Sequence, residues 1–222
     1  MTARASLAPS VQPATTRSRC RSVALDQAGP ARVVSSDSEE LILVDDADRA
    51  IGTLSKGACH DGDGILHRAF SVFLFDEEGR LLIQQRAGDK RLWPLYWANS
   101  CCSHPRAGEE MNEATVRRTR EELGVSAELE FIYKFQYQAS YEGVGAEHEL
   151  CWVYIGLTRE DEVRPNPSEI ADWRFLPPEE VDALIENPDA DVAPWFRMEW
   201  RELRRAHWDR VGRLLQSRTK AP

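Results

Sequence analysis

The sequence predicts one layered α/β or α+β domain, on three observations. Its 222 residues suffice for a single well-filled core. Apolar, β-prone runs dominate the middle of the chain, with helical patterns among and after them. No internal repeat divides it.

Order is expected to begin near Glu40, where Leu41, Ile42, Leu43 and Val44 form an apolar run closed by Asp45 and Asp46. Gly52 punctuates the chain, and Gly57, Gly62 and Gly64 bracket a loop carrying Cys59 and His60. The clearest hairpin follows: Phe70 to Phe75, a turn at Asp76-Glu77-Glu78-Gly79, and a return over Leu81 to Arg86. A Trp- and Pro-rich loop, Leu92 to Trp97, leads into Asn99-Ser100-Cys101-Cys102-Ser103-His104-Pro105. A helix is expected from the capping Asn112 to Leu123, stopped by Gly124. Two strands are expected at Leu129 to Tyr141 and Glu149 to Leu157. Pro165, Pro167, Pro177 and Pro178 read as irregular chain. A last helix is predicted over Trp195 to Gln216, with Trp200, Leu203, Val211 and Leu214 near helical spacing.

The net charge of −9 gives nucleic acid and acidic membranes no general attraction, so an anionic ligand would need a local basic patch. No apolar run approaches the roughly 18 residues of a membrane span. Five irregularly spaced cysteines, two of them adjacent, read as free thiols in a reducing compartment. The first 25 residues carry Arg4, Arg17, Arg19 and Arg21 with no acid, which fits a disordered tail or an organellar transit peptide. About the first 37 residues are therefore set outside the fold, and a cytoplasmic location is expected unless that tail is a targeting signal.

Four groups could carry chemistry. Glu147 and Glu149 share one face of a strand with Cys151, while His148, Leu150 and Trp152 take the other. Two carboxylates about 7 Å apart that run into a buried strand are costly unless paired or metal-bound; the alternative is a solvated strand end. His60, His67 and His104 fit no zinc-finger spacing, and become a mixed nitrogen–oxygen metal site only if the fold gathers them beside Glu147 and Glu149. On the helix, Arg117–Glu121 and Arg118–Glu122 are i,i+4 pairs worth a few tenths of a kcal/mol, unless Glu122 turns inward to hold Mg²⁺. The loop around Cys101 and Cys102 reads as polar and kinked, which would leave a thiol exposed and titratable.

Taken in order, Trp93-Pro94, Asn99 to Pro105, Arg117 to Val125 and Glu147 to Cys151 resemble the type 1 isopentenyl diphosphate isomerases of the Nudix-like superfamily, over about residues 40 to 215. The helix also resembles a degraded Nudix box. Glu109, Arg117, Glu121, Glu122 and Gly124 are in register, but Ser103 stands at the glycine position and Arg118 at an acid. That replacement argues against a diphosphate hydrolase, and an apparent metal-ligand set argues against a non-catalytic binding module.

The resemblance implies a Nudix-like α/β/α layered domain with mixed β-sheets over residues 38–217, with tails at 1–37 and 218–222. It implies proton-transfer isomerisation of isopentenyl and dimethylallyl diphosphate for isoprenoid biosynthesis, by a monomer or weak dimer. Under it, Cys102 and Glu149 are the catalytic thiol and carboxylate, Tyr137 bonds near that carboxylate, and Trp200 faces the carbocation. Lys56, Arg86, Lys90 and Arg118 lie near the diphosphate. His60, His67, His104, Glu147 and Glu149 hold one divalent metal (Mn²⁺, Mg²⁺ or Zn²⁺), and Glu122 holds a Mg²⁺ that bridges to the diphosphate.

Overall fold

A computed structural model describes residues 32 to 218. The long apolar run becomes the central strand, β3 (His67–Phe75), buried along nearly its whole length. Its side chains alternate between two cores: Ala69, Phe73 and Phe75 enter one, and Phe70, Val72 and Leu74 the other. Period-two alternation with both faces apolar is what a strand needs to sit between two covering layers.

The sheet grows from β3 in both directions. β1 (Glu40–Val44) and β2 (Ala50–Ser55) pair antiparallel, and β1 joins β3 at Leu43–His67. On the other edge β8 (Gly145–Leu157) runs parallel to β3, with His67 opposite Glu149, and β7 (Leu129–Tyr141) pairs antiparallel with β8. The expected strand starting at Glu149 therefore begins four residues earlier, which places Glu147 inside the ladder as well.

The hairpin from β3 to β4 (Leu81–Arg86) stays paired only at Phe75–Leu81 and then splays. Two short strands, β5 (Trp97–Ala98) against β4 and β6 (Cys101–Ser103) against β3, fill the wedge. Between them, Ser100 Oγ accepts from the Leu74 amide at 2.8 Å and donates to the Leu82 carbonyl at 2.5 Å. Asn99 Nδ2 donates to the Val72 and Cys101 carbonyls. These side chains satisfy backbone groups that the splayed strands leave unpaired, as buried polar groups require. The polar, kinked loop expected around the cysteines is thus a strand, and Cys101 is fully buried.

Helix α2 (Met111–Leu123) covers one face through Ala114 and Leu123, and Gly124, at φ 71°, closes it in the left-handed conformation. Pro177 and Pro178 do not mark irregular chain. They bound strand β9 (Ile170–Leu176), which pairs with β4, and start helix α3 (Pro178–Glu186), where a proline at the first position loses no hydrogen bond. The expected C-terminal helix is interrupted: α4 (Pro194–Glu202) passes through a π-helical turn at Leu203–His207 into α5 (Trp208–Arg218). Phe196 and Trp200 of α4 pack on Phe73 and so cover the second face. The boundary expected at residue 38 also moves, because residues 32 to 37 pack on the domain. The arginine-rich first 25 residues lie outside the described residues.

Candidate active site

Sheet register gathers the histidines and glutamates that local spacing left apart. His67 opens β3 opposite Glu149, His104 directly follows β6, and His60 caps the short helix α1 (Lys56–Cys59). One ligand atom from each of His60, His67, His104, Glu147 and Glu149 lies within 4.8 Å of every other. The closest approaches are 2.8 Å for His60 Nε2 to Glu147 Oε2 and 2.8 Å for His104 Nε2 to Glu149 Oε1.

His104 Nε2 and Glu149 Oε1 share a hydrogen bond, but three of the converging atoms do not satisfy each other. Nε2 of His60 and His67 and Oε2 of Glu147 are buried with no hydrogen-bond partner among the described residues. Burial drives the His67 imidazole down to about 4, and Nδ1 lies 2.7 Å from the Ile65 carbonyl, so with the proton on Nδ1 the Nε2 lone pair faces inward. Burial and His67 push His104 well below the usual histidine value. Burial opposes ionisation of Glu147, but the adjacent His60 holds its carboxyl well below the carboxylate range. The neutral imidazoles of His67 and His104 and the Glu147 carboxylate, with His60 beside them, fit a divalent metal, and the mixed donor set suits Zn²⁺, Mn²⁺ or Fe²⁺.

Glu149 differs from its neighbour. Burial and the charge of Glu147 push its carboxyl well up, against the Tyr137 hydroxyl, which donates to Oε2 at 2.8 Å. Tyr137 stands directly opposite Glu149 in the β7–β8 ladder, which is why this contact forms.

A cavity of about 260 Å³ opens beside this cluster. Cys102, Tyr137, Glu147, Glu149 and Trp195 line it together with Lys56, Arg86, Lys90 and Arg118. Cys102 is partly exposed there, but burial pushes its thiol up to about 12, with Arg86 opposing. The expectation of an exposed, readily titrated thiol is therefore corrected: Cys102 keeps its proton at neutral pH.

Trp200 does not line the cavity. It is fully buried, stacked on Phe73, and its Nε1 donates to Asp182 at 2.7 Å. Trp195 lines the cavity instead, held by its Nε1 bond to Asn99 at 3.2 Å, with the Arg86 guanidinium 5.2 Å from its ring centre. Arg118 and Glu122 are likewise no surface pair, since both are almost completely buried at 2.6 Å. Burial alone would lower Arg118, but Glu122 and Glu169 hold it well above its ordinary value.

Glu169, which the sequence did not single out, joins this basic cluster by pairing with both Lys90 and Arg118. It sits two residues after Pro167, in a stretch whose prolines hid any site signal. Glu122 also lines the cavity.

A second unforeseen acid, Glu199, lies one helical turn beyond Trp195, fully buried, with Cys151 Sγ 3.4 Å from Oε1. Burial raises its carboxyl to about 8, against Ser71 and Cys151. The folded chain therefore keeps this proton between the ordinary 4.5 and about 8, whereas the unfolded chain releases it. Its stability contribution is undiminished below 4.5 and falls as pH rises through that window. Glu199→Gln removes the penalty and is expected to stabilise the protein by on the order of 3 kcal/mol at pH 7, with little effect at pH 4. Denaturation at the two pH values measures this.

Residues 65–196 match the NUDIX domain family. The chain is 42% identical over 175 residues to isopentenyl-diphosphate Delta-isomerase 1 of Photorhabdus laumondii, covering 78% of this chain and 99% of that protein. It is 45% identical over 155 residues to the isopentenyl-diphosphate Delta-isomerase of Nocardia farcinica, covering 69% and 88%. Among solved structures, a Deinococcus radiodurans protein superposes with a TM-score of 0.60 at 24% identity, over 73% of this chain and 98% of that one, a likeness of fold. With the domain match and these relatives covered over most of their length, the chain belongs to the isopentenyl-diphosphate Delta-isomerases of the NUDIX superfamily.

Proposed function

We propose that this protein interconverts isopentenyl and dimethylallyl diphosphate, with Cys102 and Glu149 moving the two protons. The observation that carries the reading is one cavity lined by a protonated thiol, a carboxyl bonded to tyrosine, a tryptophan and a set of basic side chains.

In the isopentenyl-to-dimethylallyl direction the alkene π pair takes a proton at its terminal carbon, breaking the bond that held it to the acid. A tertiary carbocation remains. A C–H bond two carbons from the protonated carbon then breaks, its electrons form the new double bond, and the base accepts the proton. Cys102 and Glu149 serve as this acid and base, and their roles exchange when the reaction runs backwards. The Trp195 ring supports the cation, a contact worth about 2 kcal/mol in a dry site. This is the part that the resemblance assigned to Trp200.

Lys56, Arg86, Lys90 and Arg118 receive the diphosphate, and Glu169 orients two of them. A divalent metal on His60, His67, His104, Glu147 and Glu149 would supply positive charge that favours the Glu149 carboxylate, and Mg²⁺ at Glu122 would neutralise diphosphate oxygens. No helix among the described residues is long and apolar enough to cross a membrane. A cytoplasmic monomer or weak dimer completes the reading.

Hydrolysis is the competing chemistry of the fold. Arg118 occupies an acid position of the hydrolase motif, and its permanently cationic guanidinium has no lone pair to offer a metal. Incubation with isopentenyl diphosphate is expected to yield dimethylallyl diphosphate with no phosphate released. Phosphate release at a comparable rate would return the chain to the hydrolases.

A further inference from the structure

Lys56 and Arg118, two of the cations assigned to the diphosphate, already carry oxygen partners from a segment that the sequence reading left outside the fold. Lys56 Nζ donates to Ser35 Oγ at 2.6 Å, and Arg118 Nη1 donates to the Val34 carbonyl at 2.8 Å. Val33, Ser35 and Asp37 belong to the cavity wall.

The segment is anchored on both sides of these contacts. Upstream, the Arg32 carbonyl accepts from Asn166 Nδ2 at 2.6 Å and from Ser168 Oγ at 2.8 Å. Downstream, the Gly57 amide donates to the Asp37 carbonyl at 2.9 Å, and Arg106 grips Glu39 through two nitrogens. Residues 32 to 39 thus form a strap fixed to Asn166 and Ser168, to α1 and to Arg106, and drawn across the basic side of the cavity.

The chemistry of Ser35 gives the strap a role. Lys56 makes no ion pair among the described residues, and its side-chain bond is to a neutral hydroxyl. Burial and the nearby Lys90 and Arg118 weaken its hold on the proton, so its charge is under-compensated. Ser35 Oγ spends a lone pair on the ammonium, which leaves the hydroxyl proton to be donated. Its acceptor among the described residues is Glu39 Oε2 at the long distance of 3.5 Å. A hydroxyl polarised by a lysine and lacking a good acceptor is a donor for an anionic oxygen.

We propose that Ser35 is a further diphosphate-binding residue, donating its hydroxyl to the substrate from a strap held in place by Lys56, Arg118, Asn166 and Ser168. This rests on the assignment of the basic cluster to the diphosphate. The strap closes the cavity beside the anion, and its backbone carbonyl at Val34 fixes the Arg118 guanidinium.

The test is steady-state kinetics of full-length Ser35→Ala, with inorganic pyrophosphate as a competing ligand. Loss of one charge-assisted hydrogen bond is expected to raise KM for isopentenyl diphosphate and the inhibition constant of pyrophosphate together, each about tenfold. The turnover number should stay within about twofold, because the bond is made to the non-reacting end. Ser35→Thr, which keeps the hydroxyl, should restore both constants, and a merely structural serine would not give that pattern. Lys90→Ala run alongside separates the two ideas. If Lys90→Ala weakens pyrophosphate and Ser35→Ala does not, the assignment of Ser35 is overturned and the basic cluster stands. If neither variant weakens it, the cluster assignment falls and takes this proposal with it.

Discussion

Cys102→Ala is expected to lower turnover by about 10³- to 10⁴-fold, the range seen when a positioned acid or base is lost, while the protein stays folded. Cys102 reaches the cavity because β6 alternates: Cys101 points into the core beside α2, and Cys102 points to the opposite face. Cys101→Ala therefore removes one buried sulfur and leaves most of the activity, at a stability cost of about 1 kcal/mol. The thiol form of Cys102 matters as much as its position, since burial holds its proton to about 12. Activity should not require a thiolate resting state and should persist on the acid side of neutrality. The reverse ranking of the two alanine variants would show that the strand register does not decide which sulfur reacts.

Glu149→Gln is expected to cost about as much, on the order of 10³-fold or more. The amide keeps the size and the contact to Tyr137 but cannot exchange a proton with carbon. It also removes an anionic ligand from the cluster, so metal content should be measured on the same preparation. His148→Ala is the control from the adjacent position. Its ring points away from the cluster and lies 3.5 Å from Gln136 on the half-exposed face of β8, and turnover should fall by less than about threefold. A folded but inactive His148→Ala protein would contradict the face assignment of this strand.

Much of this site was legible because it depends on strand alternation and on runs of residue type. Glu147, Glu149 and Cys151 share a face by period two, and the fold keeps that arrangement. Joining them to His60, His67 and His104 needed the resemblance, because the link is a parallel pairing between strands about eighty residues apart. The resemblance assigns the cation-facing place to Trp200, and nothing in the sequence separates it from Trp195 at the start of the same predicted helix. Five residues turn a helix by about 140°, and only packing shows that Trp195 meets the cavity while Trp200 meets Phe73.

β2 was hidden by its exposure and by Gly52, and β9 by the prolines that flank it. Cys102 seemed to sit in a loop because Asn99 and Ser100 are polar, yet their polarity serves the splayed strands. Ser35 gave no signal at all. Its neighbourhood is polar and lacks periodicity; its lysine partner lies 21 residues along the chain, and the arginine that fixes the strap bonds to the neighbouring Val34 carbonyl.

The most direct test of two-proton chemistry in this cavity is isomerisation followed by NMR in D₂O, with metal-loaded protein and isopentenyl diphosphate. A proton delivered by a side chain that equilibrates with solvent between turnovers must leave deuterium in the product. Dimethylallyl diphosphate carrying deuterium at the newly formed methyl group, lost when Cys102 is replaced by alanine, is the result predicted. Dimethylallyl diphosphate formed without deuterium, or substrate left untouched by folded and metal-loaded protein, would contradict it.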